Sequence, residues 1–269
     1  MPSYICKTCG VQYAPSEKEP EHCIICEDER QYVPKSGQKW TTLESMQLQS
    51  FHNEFKWEEP HLFSITTVPE FAIGQTAYFI QDEEMNILWD CLTYLDDDTI
   101  ERIRSMGGID AIILSHPHYY STQVEWAEVF DAPIYIHEDD KQWVPRESRW
   151  IEYWAGETLE ISNQTAIHRL GGHFPGGAVL NWAAGNNKQG ILLTGDIIQV
   201  VADPGWVSFM YSYPNLIPLP ASTVAQIAAK TEAIPFNRVY NAFHGLIEDG
   251  AKRAVEQSAK RYINALIEE

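Results

Sequence analysis

The spacing of apolar side chains changes along the chain, and the changes predict its elements. Up to about residue 35 the apolar residues are few and scattered among Glu, Lys and Pro, with neither a helical nor a strand period. Pro34, Gly37 and Pro60 bound a connecting stretch, 36–60, in which Thr42 to Phe55 reads as a short helix. From Leu62 the runs become short and β-rich. Leu62 to Val68, Phe71 to Ile80 and Ile87 to Cys91, punctuated by Pro69 and the polar Asp82 to Asn86, predict strands in meander order. Asp97 to Met106 takes a helical period, with acidic residues first, Ile100 and Ile103 on one side and Gly107-Gly108 as its stop.

Ala111 to Leu114 is a continuous apolar run suited to a buried strand. Beyond it, Glu125 to Phe130 reads as a helix, Ile134 to Ile136 as a strand, and Thr158 to Leu170 as a pair of strands around Asn163. Ala178 to Ala183 and Gly190 to Leu193 form a predicted hairpin, while Val207 to Tyr213 fits either state. Ser222 to Glu232 predicts a helix, Val239 to Phe243 a strand and Gly250 to Ile267 a terminal helix. Helices and hairpins mix without strict βαβ alternation, so the expected class is α+β, with sheets covered by helices in layers. No internal repeat is present.

Composition narrows the function classes. The 269 residues are enough for a large core and a small appended unit. Nineteen Lys plus Arg against 38 Asp plus Glu leave a net charge of −19, which repels polyanions and excludes a nucleic acid as the expected partner. No apolar run is long enough for a bilayer, and Met1 to Cys6 lacks a charged start followed by an apolar stretch. The expectation is a cytoplasmic protein acting on a small molecule, off the membrane, with no oligomeric state assigned.

Cysteine placement adds the first chemistry. Four of the five cysteines form two Cys-x-x-Cys pairs, Cys6/Cys9 and Cys23/Cys26, a spacing that presents four thiolates to one tetrahedral ion. The surrounding segment has too little apolar matter to fold alone, and a metal would supply the missing core. Tyr4-Ile5-Cys6-Lys7-Thr8-Cys9-Gly10-Val11-Gln12-Tyr13 resembles the first knuckle of rubredoxin. The second knuckle departs, with Ile24-Ile25 between the thiols and Glu27 after them, which favours structural Zn2+ over electron-transfer iron, although four sulfurs fit either ion. His22 reads as a neighbour of Cys23, and Cys91 as a buried thiol.

The second cluster of chemistry lies in the β-rich part. Ser115-His116-Pro117-His118-Tyr119-Tyr120-Ser121 follows the buried run, and Gly171-Gly172-His173, Leu193-Thr194-Gly195-Asp196 and Phe243-His244-Gly245 each place a ligand type at or past a strand end. Glycines beside these residues let the backbone approach an ion closely. This order and these flanks resemble the metallo-β-lactamase-fold hydrolases over roughly Leu62 to Glu269. The resemblance implies an αββα sandwich over 61–269, behind a zinc-ribbon module at 1–35. It also implies that His116, His118 and His173 form one metal pocket, that Asp196 bridges to a second, and that His244 is the last ligand of the second. The family pattern H-x-H-x-D-H becomes H-x-H-x-Y-S here, with Tyr120 and Ser121 in place of two ligands. One active-site ion, Zn2+ or Fe2+, is therefore expected rather than two.

The expected activity is metal-dependent hydrolysis of a small carbonyl substrate such as a thioester, lactone or ester, with Asp196 and Tyr120 as the catalytic side chains. Tyr120, protonated at neutral pH, is a candidate donor to an oxyanion or a packing residue in the vacant pocket. Ser121 reads as a helix N-cap and Asp90 as a partner held behind a metal-bound imidazole. The aromatic stretches Trp143 to Trp154 and Trp206 to Tyr213 fit either a pocket wall or core packing. Two alternatives stay open. His116, His173 and Asp196 also match the iron set of the persulfide dioxygenases of the same fold, and the lost second pocket suits a non-catalytic binding protein with a degenerate metal site.

Overall fold

A computed structural model describes residues 1–267, so Glu268 and Glu269 of the expected 61–269 region lie outside the described residues. A seven-stranded sheet runs in sequence order: His52–Glu59, Leu62–Val68, Ala77–Gln81, Asn86–Trp89, Ala111–Ile113, Ile134–His137 and Ile151–Trp154. Its first four strands pair antiparallel and the remainder parallel. Parallel neighbours need a crossover, and the helices Asp97–Ser105 and Gln123–Phe130 supply two of them. A six-stranded sheet follows, built from Thr158–Glu160, Thr165–Arg169, Ala178–Trp182, Ile191–Leu193, Arg238–Tyr240 and Leu246–Ile247. Helices Ala221–Glu232 and Ala251–Ile267 cover its outer face.

Strand periodicity explains why the sheets stack. Successive side chains point to opposite faces, so Tyr78 and Ile80 enter the layer between the sheets while Ala77 and Phe79 face the outer helices. Ile113, Leu180, Trp182, Ile191 and Leu193 complete the inner layer from both sides, and Leu192 turns outward to Ile227 and Val255. The expected αββα sandwich is the observed one. Local signals agree with it: Asp96 caps the helix Asp97–Ser105 by accepting from Thr99 N at 2.9 Å, and positive φ at Gly107 and Gly108 ends it.

One expected element is different. Thr42 to Phe55 is not a continuous helix: a short helix, Leu43–Gln47, capped by the Thr42 hydroxyl, gives way to the edge strand His52–Glu59. Phe51 and Phe55, four apart, share a face in a helix, but four is also a multiple of two. Phe55 in the strand and Phe51 just before it turn to the core on the same side as Asn53, whose amide donates to Tyr94 O and Thr99 Oγ1.

The four-cysteine segment shares its core with the sandwich. Cys6, Cys9, Val11, Cys23, Ile25 and Cys26 belong to the same buried cluster as Ile65, Leu92, Tyr120 and Trp126. Gln12 N donates to Ser121 O at 3.1 Å and the Thr93 hydroxyl to Gly10 O at 3.1 Å, which fixes the first knuckle beside the loop that follows Ala111–Ile113. Among the described residues no helix is long and apolar enough to cross a membrane.

Candidate metal centre

Loops at one rim of the sandwich carry the ligand-type residues. His116 stands just before the 3-10 turn Pro117–Tyr119 that follows the strand Ala111–Ile113; His173 lies in the turn before Ala178–Trp182; Asp196 follows Ile191–Leu193. The loops can meet because of glycine: Gly195, at φ +56°, passes so close to Ser115 that a Cβ there would stand 2.7 Å from its hydroxyl oxygen. His116, His118, His173 and Asp196 each present a ligand atom, all within 4.8 Å of one another and all buried. Asp196 Oδ1 is 3.1 Å from His116 Nε2 and 3.7 Å from His173 Nε2, and His118 Nδ1 is 3.2 Å from His173 Nε2.

Neighbouring groups orient each ligand. The Met210 carbonyl is 3.0 Å from His173 Nδ1, so that nitrogen carries the proton and Nε2 keeps its lone pair. Ser115 Oγ meets His116 Nδ1 at 2.9 Å, and Ser115 N donates to Asp90 Oδ1 at 2.8 Å. Asp90 thus acts one step behind the imidazole, through Ser115; burial pushes its carboxyl up to about 8. Tyr213 donates its hydroxyl to Asp196 O at 2.8 Å. Burial, and then the neighbouring His173, hold His116 and His118 well below the ordinary imidazole range, which keeps them neutral and able to ligate. Burial likewise raises Asp196, partly offset by His173.

The residues fit a cation. His116 Nε2 and Asp196 Oδ1 are buried without a hydrogen-bond partner among the described residues, an arrangement that is costly unless an ion joins them. The thiols of Cys6, Cys9, Cys23 and Cys26 fit one as well. Their sulfurs lie 3.5 Å (Cys6–Cys26) and 3.6 Å (Cys9–Cys23) apart, close to the roughly 3.8 Å edge of a tetrahedron with 2.3 Å zinc–sulfur bonds. Gln38 Nε2 and Thr8 N point at the Cys6 sulfur from 2.8 and 3.3 Å, and hydrogen bonds from the neighbouring cysteines hold Cys6 well below the usual thiol range.

Comparison with known proteins agrees with this architecture. The sequence model of the metallo-beta-lactamase superfamily matches residues 72–226. The chain belongs to that superfamily. It is 62% identical over 267 residues to the uncharacterized protein YmaE of Bacillus subtilis (strain 168), covering 99% of this chain and 97% of the relative. The metallo-beta-lactamase DIM-1 superposes with a TM-score of 0.59 at 16% identity, over 78% of this chain and 98% of that one. A metallo-beta-lactamase from Hirschia baltica gives 0.57 at 15%, over 78% and 97%. At such identity these structures are alike in fold. The family match begins downstream of Cys26, so the four-cysteine segment is an addition to the part that the family model describes.

Two expectations for these loops, the roles of Tyr120 and Ser121, are corrected. Tyr120 does not face the metal ligands: its hydroxyl is buried without a partner in the core shared with Leu92, Val124 and Trp126. In a 3-10 turn residues three apart eclipse, so it is Tyr119 that lies over His116, ring centroids 4.4 Å apart, with its phenol pushed well up by burial and by Asp196. His244, expected as a ligand of a second pocket, stands outside the four-donor group. It is exposed, at φ +57°, with Nε2 3.4 Å from the Thr76 hydroxyl. Where the family pattern continues, the Ser121 hydroxyl donates to Cys91 O at 3.2 Å and accepts from Gln75 at 2.9 Å; Thr122, not Ser121, holds the position before the helix.

Above the ligands lies a cavity of about 400 Å³, lined by His118, His173, Asp196, Gln199, Tyr213 and Phe243 and, from the N-terminal segment, by Thr8, Gln31 and Tyr32. Arg30 makes that junction. Its Nε donates to His173 O at 2.6 Å, and its guanidinium lies 4.4 Å from the Phe174 ring and 4.5 Å from that of Tyr211. Sequence reasoning did not single out Arg30, Gln31 or Tyr32, because no spacing or motif links a segment after the second knuckle to a histidine far downstream.

Proposed function

We propose that the protein is a hydrolase of a small carbonyl compound, a thioester, lactone or related ester, working with one metal ion held by His116, His118, His173 and Asp196. The observation that carries this reading is the convergence of four ligand atoms, two of them without another partner, three of the four residues lining a cavity. A zinc-like ion held there would polarise a carbonyl and bring the pKa of bound water toward about 7. The chain's own groups do the rest. Burial keeps the imidazoles neutral, the Met210 carbonyl fixes His173, and Tyr213 fixes the backbone of Asp196. The Asp196 carboxylate, 3.1 Å from His116 Nε2 and 3.7 Å from His173 Nε2, would be the anionic ligand of the ion and would accept a hydrogen bond from the attacking water. The single-ion reading rests on Tyr120 being turned into the core and on Ser121 being tied to Gln75 and Cys91, the two positions where the family pattern has ligands.

The iron dioxygenase alternative uses His116, His173 and Asp196 alone. The Nδ1 of His118, 3.2 Å from His173 Nε2, adds a further donor and favours the hydrolytic site. A panel of thioesters and lactones with zinc-loaded protein tests the reading, run beside oxygen uptake with a persulfide after iron loading. Ester or thioester cleavage supports it, and oxygen uptake without any cleavage contradicts it. We propose a structural Zn2+ for the four cysteines and a cytoplasmic location, on the thiolate set and the absence of an apolar spanning helix among the described residues.

A further inference from the structure

The four-cysteine segment contributes more than a metal knuckle to the cavity. Residues 28–32, just after Cys26, are held as a rigid wall. Asn215 Nδ2 donates to Glu29 O and to Gln31 O, each at 3.0 Å, and the Ser212 hydroxyl donates to Arg30 O at 3.0 Å. Arg30 is spent on this docking: Nε serves His173 O, and NH1 reaches both Asp28 oxygens at 2.7 and 2.8 Å. The next residue, Gln31, is 5% exposed, lines the cavity, and its amide oxygen has no hydrogen-bond partner among the described residues. Gln199, also lining the cavity, likewise has an amide oxygen without a partner among the described residues.

Polar groups buried without partners are rare and costly, and two such oxygens on residues lining one cavity are what a bound ligand would satisfy. A carboxamide both donates and accepts, so its best partner is another amide. Charge points the same way. No Lys or Arg is among the cavity-lining residues, and the chain's net charge of −19 opposes an anionic ligand. We propose that the four-cysteine module forms the substrate-reading wall of the metal cavity, where the carboxamides of Gln31 and Gln199 pair with an amide group of an uncharged substrate. The proposal deepens the hydrolase reading and rests on it for the identity of the reacting bond.

The test uses zinc-loaded full chain and probes that differ in where an amide sits. S-acetyl-N-acetylcysteamine carries it on the leaving group, the S-butyl thioester of N-acetylglycine carries it on the acyl group, and S-butyl thioacetate has none. The wild type prefers one amide-bearing probe by about tenfold or more in kcat/KM, the worth of a net hydrogen bond or two. Gln31→Met and Gln199→Met, close in size but unable to pair, bring that ratio toward one through KM, with the ion count per chain unchanged by elemental analysis. Calorimetric binding of N-acetylcysteamine against 1-butanethiol reads the same preference without turnover, which separates this proposal from the hydrolase reading. A tenfold binding preference lost in Gln31→Met supports the wall even if no probe is cleaved. Cleavage of all three probes at equal efficiency, an unaltered preference in both variants, or no binding of either thiol overturns it.

Discussion

The two candidate metal centres are built in opposite ways. The cysteine centre takes its ligands from two tight knuckles near the N-terminus, and all four sulfurs are sealed, the residues being 0–1% exposed. The histidine centre gathers ligands from separate loops at the rim of the sandwich, and a cavity opens above it. A closed four-thiolate set holds an ion for structure, and a set with an open side leaves a position for chemistry. Arg30 bridges them, carried by the first and bonded to the backbone of a ligand in the second. Stability should therefore follow the cysteines, turnover the histidines, and Arg30 should show how far the two are coupled.

The sharpest separation comes from the ligands themselves. His173→Ala should abolish turnover and remove one ion per chain while leaving the cysteine ion in place, as elemental analysis with activity would show. Cys6→Ser combined with Cys9→Ser should remove the other ion and cost about 4 kcal/mol or more of stability in urea unfolding, the scale expected when a structural metal is lost. The loss should reach past the N-terminus, because these residues share a core with Leu92 and Trp126.

Arg30→Ala should leave both ions bindable but weaken the histidine centre by about 10- to 100-fold in a chelator competition, the usual effect of removing a group that positions a ligand. An unchanged affinity would mean that the centres are independent. Acidification gives a smaller effect. His116 and His118 lie below their ordinary 6.5 in the folded chain, so the unfolded chain binds more protons in that window. The raised carboxyls of Asp90 and Asp196 titrate in the opposite sense, so the readout is a difference: as pH drops from about 7 to 5 the chelator-treated wild type should lose stability relative to His116→Ala, by urea midpoints. The smallest change expected is Tyr120→Phe. Removing an unpartnered hydroxyl from the core should leave turnover intact and stability within about 0.5 kcal/mol or slightly higher.

The Tyr120 case shows where sequence reasoning stops. Knuckle spacing, the His-x-His pair and the glycine-flanked His173 and Asp196 were readable because each is local; short runs with a clear period showed sheets and helices in layers, and the αββα order came from the family resemblance. Which face a tyrosine takes after His118 depends on a three-residue turn being 3-10, and the residue aligned with a family carboxylate is rotated into the core. His52–Glu59 was misread for a related reason, since Phe51 and Phe55 satisfy a helical and a strand period equally. The wall formed by Gln31 and Tyr32 had no local signal at all: it arises from Asn215 and Ser212 holding a distant segment over the cavity.

Metal stoichiometry tests the central claim most directly, measured by elemental analysis on the wild type, Cys6→Ser/Cys9→Ser and His116→Ala/His173→Ala proteins after saturation with zinc and removal of excess. A sealed structural site and a single open catalytic site predict about two ions per chain in the wild type and one in each variant. Three ions in the wild type, with two lost on removing the histidines, would show a binuclear centre recruiting His244 and would contradict the account.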